Sequence, residues 1–200
     1  MIERALQSGL RPRWVLGDEV YGSAGKTRRF IESHDQPYVM AVSSQQRLWI
    51  DLKQQRVDKI TDTIPKKDWH RISIAQGSKG PRVYDWAAGK LAMLTETGLV
   101  RRLLIRRNTD DPSKRAYYFC AAPTQATSED LAIAAGQRWA IECCFESAKQ
   151  ETGLDEYEVR SWHGGYRHIT LSMSALARLS VIRSQASQPK QKKATLTWSH

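Results

Sequence analysis

The sequence predicts an α/β protein whose core is split by a long, mostly β insertion. Three observations carry that prediction. Near the N-terminus, helix-period segments alternate with short buried-strand runs. From about residue 44 that alternation gives way to glutamines, turn clusters and strand-like runs. Near residue 127 helical character returns.

The opening MIERALQSG reads as a helix closed by Gly9, with Ile2, Ala5 and Leu6 on one face. Residues 13–18 then form a short apolar run that ends in Asp18, a buried strand presenting an acid at its carboxyl end. Gly17 and Gly22, on either side, allow close approach of backbone or ligand. Ser23 is placed to cap a helix reaching about His34, with Phe30 and Ile31 inward, and Pro37–Val42 reads as a second buried strand. Helix, strand, helix, strand in this order implies a parallel core. Within residues 44–126, the runs 71–75, 99–105 and 116–121 look like strands, the last two flanking a loop at 108–113, and Gly77–Pro81 is a turn cluster. Thr127 and Asp130 have the spacing of a capping box, opening a helix expected to stop at Gly153. Gly164 and Gly165 separate it from a last helix, Tyr166 to about Arg183, striped by Ile169, Met173, Leu176 and Leu179. The expected organisation is a core from residues 1–43 and 127–183, an insertion at 44–126, and a basic, disordered tail at 184–200 containing Lys190, Lys192 and Lys193.

Composition narrows the function. With 31 Lys+Arg against 21 Asp+Glu the chain carries +10, a surplus suited to a polyanion such as nucleic acid, or simply to a solvated surface. No apolar run approaches a membrane span, so no membrane partner is expected. Three cysteines, two of them the adjacent Cys143 and Cys144, suit a reduced, cytoplasmic chain. These two with His163 and His168 lack the paired spacing of a zinc site, and helical packing accounts for them.

Two features could carry chemistry. Asp18 either caps the turn after its strand or stands where ligands of parallel α/β sheets gather, ready to join a helical Glu around a divalent ion. On the helix at 127–152, Arg138 to Glu142 is a step of about 40° and Glu142 to Lys149 about −20°, so the three share a narrow stripe. That stripe is either a solvated row of ion pairs or part of a site.

Gly17-Asp18-Glu-Val-Tyr21-Gly22, followed much later by Arg138-x3-Glu142-x6-Lys149, resembles the insertion-sequence DDE transposases, in particular those with a β insertion before the Glu. The stretches 153–163 and 166–170 are similar to that group's downstream segment, so the resemblance covers roughly residues 1–183. It implies an RNase H-like core and cut-and-join DNA transposition, with two Mg²⁺ or Mn²⁺ ions driving phosphodiester hydrolysis and strand transfer. Asp18 and Glu142 would be metal ligands, and Arg138 and Lys149 would hold phosphates of the transposon end. Arg160, Trp162 and His163 would either touch DNA or brace the last helices. Transposon ends and target DNA are the implied partners, with a homodimer on paired ends and nucleoid association when bound.

This chain departs from the pattern in two places. Ala135 stands where the group has a Tyr three residues before the Arg. The first catalytic Asp and the strands before Asp18's strand have no counterpart, and Asp35 and Asp51 lie in turn or insertion contexts. Two divalent ions are balanced by three carboxylates and one phosphate diester, so two carboxylates leave the balance one short. The expectation is therefore an incomplete RNase H-like core: a C-terminal transposase fragment, inactive alone. The alternatives are a non-catalytic DNA-binding remnant and an unrelated basic α/β protein. Among the tryptophans, Trp14 and Trp139 are expected in the core. Trp49, Trp69 and Trp86 lie in the insertion, where related enzymes can stack an aromatic on a displaced base, although core packing is the simpler reading for each.

Overall fold

The computed structural model describes residues 2–50, 53–77, 80–158 and 160–187. The chain divides within one long helix into two compact units, Met1–Arg138 and Trp139–His200.

The first unit is built on one six-stranded sheet. Helix α1 (Ile2–Gln7) stops before Gly9, which takes a left-handed φ of 88°. Strand β1 (Val15–Gly17) leads to a short helix α2 (Glu19–Ser23), a longer α3 (Gly25–Ser33) and strand β2 (Tyr38–Val42). The expected helix after Asp18 is thus two helices. Ser23 caps neither: Asp18 caps α2, and α3 opens at Ala24 without a side-chain cap. Ser23 is itself the last residue of α2, which leaves Ala24 at the N-cap position of α3.

After β2 the chain makes a hairpin, β3 (Arg47–Ile50) and β4 (Lys53–Arg56), then helix α4 (Val57–Thr61). Four strands follow: β5 (His70–Gly77), β6 (Gly80–Leu94), β7 (Val100–Asn108) and β8 (Arg115–Ala122). The 15-residue β6 has no clear counterpart in the sequence pattern, because Pro81, Gly89 and Lys90 dilute its alternation. The side chain of Asn108 closes the β7–β8 turn by accepting from the Asp110 and Asp111 amides at 2.7 and 3.2 Å.

Strand order is β1-β2-β8-β7-β6-β5. Only β1 and β2 are parallel; every other pair in the sheet is antiparallel. The fold is therefore α/β with a mostly antiparallel sheet: the two N-terminal strands pair in parallel, as their helix-strand-helix-strand order implies, and the antiparallel pairs come from the strands of the 44–126 stretch. The physical reason is connectivity: the β1–β2 link contains helices that allow a parallel crossover, whereas β6, β7 and β8 follow one another through short connections. Strands of the 44–126 stretch also extend the core sheet itself, since β8 pairs directly with β2 from Tyr38↔Ala121 to Val42↔Tyr117.

Alternation along these strands feeds two cores. On one face Tyr38, Met40, Val42, Leu103, Ile105, Tyr117 and Phe119 pack with Ile31 of α3 and with Leu48 and Val57. On the other, Val39, Trp86, Leu104, Tyr118 and Cys120 meet Leu131, Ala132, Ala134 and Ala135 of helix α5 (Ser128–Thr152). Small residues let α5 lie close: a Cβ at Gly136 would stand 2.8 Å from Ile74. The capping box at the start of α5 is present. Thr127 donates its amide (3.0 Å) and hydroxyl (2.8 Å) to Asp130, whose own amide donates back at 3.0 Å, and Arg13 adds an ion pair at 2.8 Å.

In the second unit α5 ends at Thr152, followed by Gly153 with φ 60°. Helix α6 runs from Trp162 to Ser187. Gly164 and Gly165 lie inside its first turn instead of before it, because Ser161 accepts their amides and moves the start upstream. The helix also extends into the expected tail; residues 188–200, including its three lysines, are outside the described residues. Of the expected stripe, Leu176 is buried, while Ile169 and Leu179 are exposed. The helices are joined by Arg183–Glu151 (2.8 Å) and by His168, whose Nε2 reaches the Gly153 and Leu154 carbonyls at 3.0 and 3.2 Å.

Candidate functional site

Asp18 follows the last residue of β1, in extended conformation and exposed. Its Oδ1 accepts the amides of Val20 and Tyr21 at 3.0 and 3.3 Å. Oδ2 has no hydrogen-bond partner among the described residues. One oxygen fixes the carboxylate and the other is open to solvent, so the capping and ligand-presenting readings of this acid are compatible. The cap holds the side chain in place while leaving a coordinating atom available.

Gly22 sets the position of this segment. A Cβ there would fall 1.8 Å from the Ala41 carbonyl oxygen, so α2 lies directly on the β2 backbone, the close approach anticipated from the glycine itself. Arg28 reinforces the contact by donating to the Gly22 carbonyl.

Glu142 and Lys149 are exposed on the Trp139–Thr152 part of α5, and the exposed Arg138 ends the first unit on the same helix. Lys149 approaches Asp155 at 3.8 Å with both groups more than half exposed, a weak surface contact. Ala135, at the position of the group's Tyr, is buried in the core against the sheet, where a phenol ring would not fit. Arg160 and His163 are exposed; Trp162 is 77% exposed, with its ring 4.9 Å from that of Tyr166. It is His168 that braces the helix ends, with its ring 4.9 Å from Tyr157.

The tryptophans divide. Trp86 is fully buried and Trp14 packs at the edge of the second core, as expected. Trp139 is 40% exposed, which corrects its assignment to the core. Trp69 lies under the Arg107 guanidinium at 4.0 Å, and Trp49 is exposed on β3.

Sequence reasoning missed one buried ionic network. Glu32 of α3 is 5% exposed and accepts two hydrogen bonds from Arg101, at 2.6 and 3.1 Å, and one from the Tyr38 hydroxyl at 2.8 Å. Burial opposes its ionisation, but the Arg101 and Tyr38 hydrogen bonds outweigh it and hold the carboxyl below its ordinary range. Its signal in sequence is weak, because Arg101 lies 69 residues away.

Among the described residues, no three His, Cys, Asp or Glu side chains lie together as a metal-binding group. Asp35 is not a substitute: it closes the turn after α3 with φ 51°. Asp51 is outside the described residues.

An acid follows the end of strand β1, and far along the chain one helix carries Arg138, Glu142 and Lys149. The Transposase DDE domain profile matches residues 1–178, and the chain belongs to that family. None of the curated proteins compared with the chain matches it. The family acts on DNA and generally uses divalent metals; no helix among the described residues is long and apolar enough to cross a membrane.

Proposed function

We propose that the chain contributes to cut-and-join DNA transposition, with Asp18 and Glu142 as two of the acids that ligate Mg²⁺ or Mn²⁺. The observation that carries this reading is the carboxylate of Asp18: one oxygen anchored by two amides, the other unengaged, at an exposed strand end. When bound, such ions activate a water or a DNA 3′-hydroxyl and stabilise the leaving oxygen. In this reading further oxygen ligands come from the DNA phosphate and from another carboxylate, and the chain alone is inactive.

Arg138 and Lys149 hold phosphates of the element end, the first as a planar fork and the second as a point charge that exchanges Asp155 for DNA. Arg160, Trp162 and His163 add contacts at the start of α6, where the exposed indole stands beside the Tyr166 ring. The core is RNase H-like, the DNA partners are element ends and target, and the working assembly is a dimer on paired ends. The alternative reading is a non-catalytic DNA-binding protein, for which the basic charge of +10 suffices.

Mn²⁺ titration followed by electron paramagnetic resonance, with element-end DNA present, tests the proposal. Binding should weaken in Asp18→Asn and Glu142→Gln. Unchanged Mn²⁺ affinity in both variants, with DNA binding intact, would leave the non-catalytic reading.

A further inference from the structure

Strand β7 carries four arginines, and three of them are committed within the first unit. Arg101 is bidentate to Glu32. Arg102 donates to the Ala126 and Thr124 carbonyls at 2.6 and 3.0 Å, and Arg107 reaches Asp85 at 3.3 Å with the Trp69 ring beneath it. Arg106 is the fourth. Its half-buried side chain makes no hydrogen bond or ion pair among the described residues, and its guanidinium lies 4.5 Å from the centre of the Tyr84 ring.

Strand alternation explains why Arg106 has no acid. In the β6–β7 register Arg107 stands opposite Asp85, whereas Arg106 stands opposite Trp86. Asp85, with Arg71 and Arg107 on it, therefore belongs to one face of the sheet. Arg106 belongs with Tyr84 and Trp86 to the other, the face that α5 covers.

Arg138 comes to that same face from the helix. Leu131, Ala134 and Ala135 of α5 pack on the sheet, and Arg138, seven residues beyond Leu131 and three beyond Ala135, continues their stripe. Tyr84, Trp86 and Tyr118 form one row of rings, with centres 6.4 and 6.0 Å apart. Arg106 rests at the Tyr84 end of the row, and both arginines act at the Tyr118 end: burial pushes that phenol up, and the charges of Arg106 and Arg138 oppose the shift. A guanidinium on a ring uses its flat face and keeps its N–H edge for an acceptor. A pre-set donor fork beside a second arginine matches the oxygens of a phosphodiester.

We propose that Arg106 binds the DNA backbone alongside Arg138, with Tyr84 as the platform that fixes its guanidinium. This rests on the DNA function proposed above and adds a strand residue to the grip that the helix provides. Arg106 is a binding residue: it takes no part in bond making or breaking, and its contact needs no metal. Because the contact is to phosphate, it carries no base preference.

The test is fluorescence anisotropy of a labelled element-end duplex of about 20 base pairs with the full chain in EDTA, across a salt series. Arg106→Ala should flatten the log–log salt slope by about 0.9, the share of one phosphate, and weaken binding roughly tenfold, as for one lost charged hydrogen bond. Arg106→Lys keeps the charge and loses the fork, so the slope should hold while part of the affinity is lost. Tyr84→Phe should stay within about twofold of the unaltered chain, and Tyr84→Leu should cost roughly two- to fivefold, the worth of a cation–π platform. Arg107→Ala removes the same formal charge from the opposite face and should leave the slope unchanged. Circular dichroism establishes that each variant is folded.

A folded Arg106→Ala chain with an unchanged slope overturns the proposal, and so does an Arg107→Ala chain that loses as much as Arg106→Ala. A Tyr84→Leu chain that binds as the unaltered one does removes the platform. If Arg138→Ala flattens the slope and Arg106→Ala does not, the strand contact falls and the DNA function stands. Absence of any DNA binding by the unaltered chain sinks both.

Discussion

Substituting Gly22 by Ala tests whether the acid-bearing segment is held by backbone-to-backbone packing. The new methyl would meet the Ala41 carbonyl oxygen at 1.8 Å, the carbonyl carbon at 2.9 Å and Met40 Cβ at 3.2 Å, where real Cβ contacts below 3.0 Å are essentially unknown. None of these atoms belongs to a side-chain end that could swing aside. Ala41 lies in β2, held between β1 and β8, so the strand cannot retreat and α2 must lift by more than an ångström. Overpacking in a core costs about 1–3 kcal/mol, and a clash against fixed backbone belongs at or above the upper end of that range. We expect a loss of about 3 kcal/mol or more, equivalent to a fall in Tm of roughly 6–12 °C for a chain of this size. Urea unfolding and thermal melts followed by circular dichroism read this directly. Gly89→Ala is the control, since its added Cβ meets nothing within 4 Å, and it should stay within about 0.5 kcal/mol of the unaltered chain. A Gly22→Ala variant as stable as the Gly89→Ala control would refute the packing argument, and with it the claim that Gly22 fixes the Asp18 turn.

Other outcomes follow from the same structure. Asp18→Asn keeps a good cap on α2, so stability should move by less than about 0.5 kcal/mol in urea unfolding while Mn²⁺ affinity falls; a large stability loss would mean the charge itself is structural. Arg101→Ala leaves Glu32 buried without its bidentate partner and should cost about 3 kcal/mol or more by denaturant titration. Thr127→Ala removes both directions of the capping box and should cost about 1 kcal/mol. The carboxyls of Glu32, Asp85 and Asp130 are all held below their ordinary range. In Glu32 the Arg101 and Tyr38 hydrogen bonds overcome burial; Arg71 is the main cause for Asp85, and the Thr127 amide for Asp130. A depressed carboxyl contributes stability that is present above its unfolded value and lost as pH falls through its folded one. Unfolding free energy should therefore be flat near neutrality and fall below about pH 4, more steeply than in an Arg101→Ala variant.

Sequence pattern alone located most of the elements that surround the site. Local chemistry is enough for this: Gly9 and Gly153 end helices through left-handed backbone, Thr127 and Asp130 satisfy each other's amides, and the apolar runs at 13–18 and 37–42 are strands wherever they are placed. The spacing of Arg138, Glu142 and Lys149, together with the Asp18 motif, also carried the family, because those residues lie in sequence order within two short segments. The folded chain places Ser23 inside α2, leaves the N-cap of α3 to Ala24 and moves the start of α6 upstream to Ser161, none of which the local residue types decide.

Tertiary structure decided what depends on residues far apart in the chain. It made β8 the neighbour of β2, so the strands of the 44–126 stretch continue the sheet begun by the parallel pair β1 and β2. It brought Arg101 to Glu32, buried Ala135 where a larger ring was expected, and left Trp49 and Trp139 exposed while taking Trp86 inside. Periodicity records which face of an element is apolar, whereas pairing and burial depend on which other element covers that face. That choice is made by long-range strand register and side-chain volume, neither of which is written in any one segment.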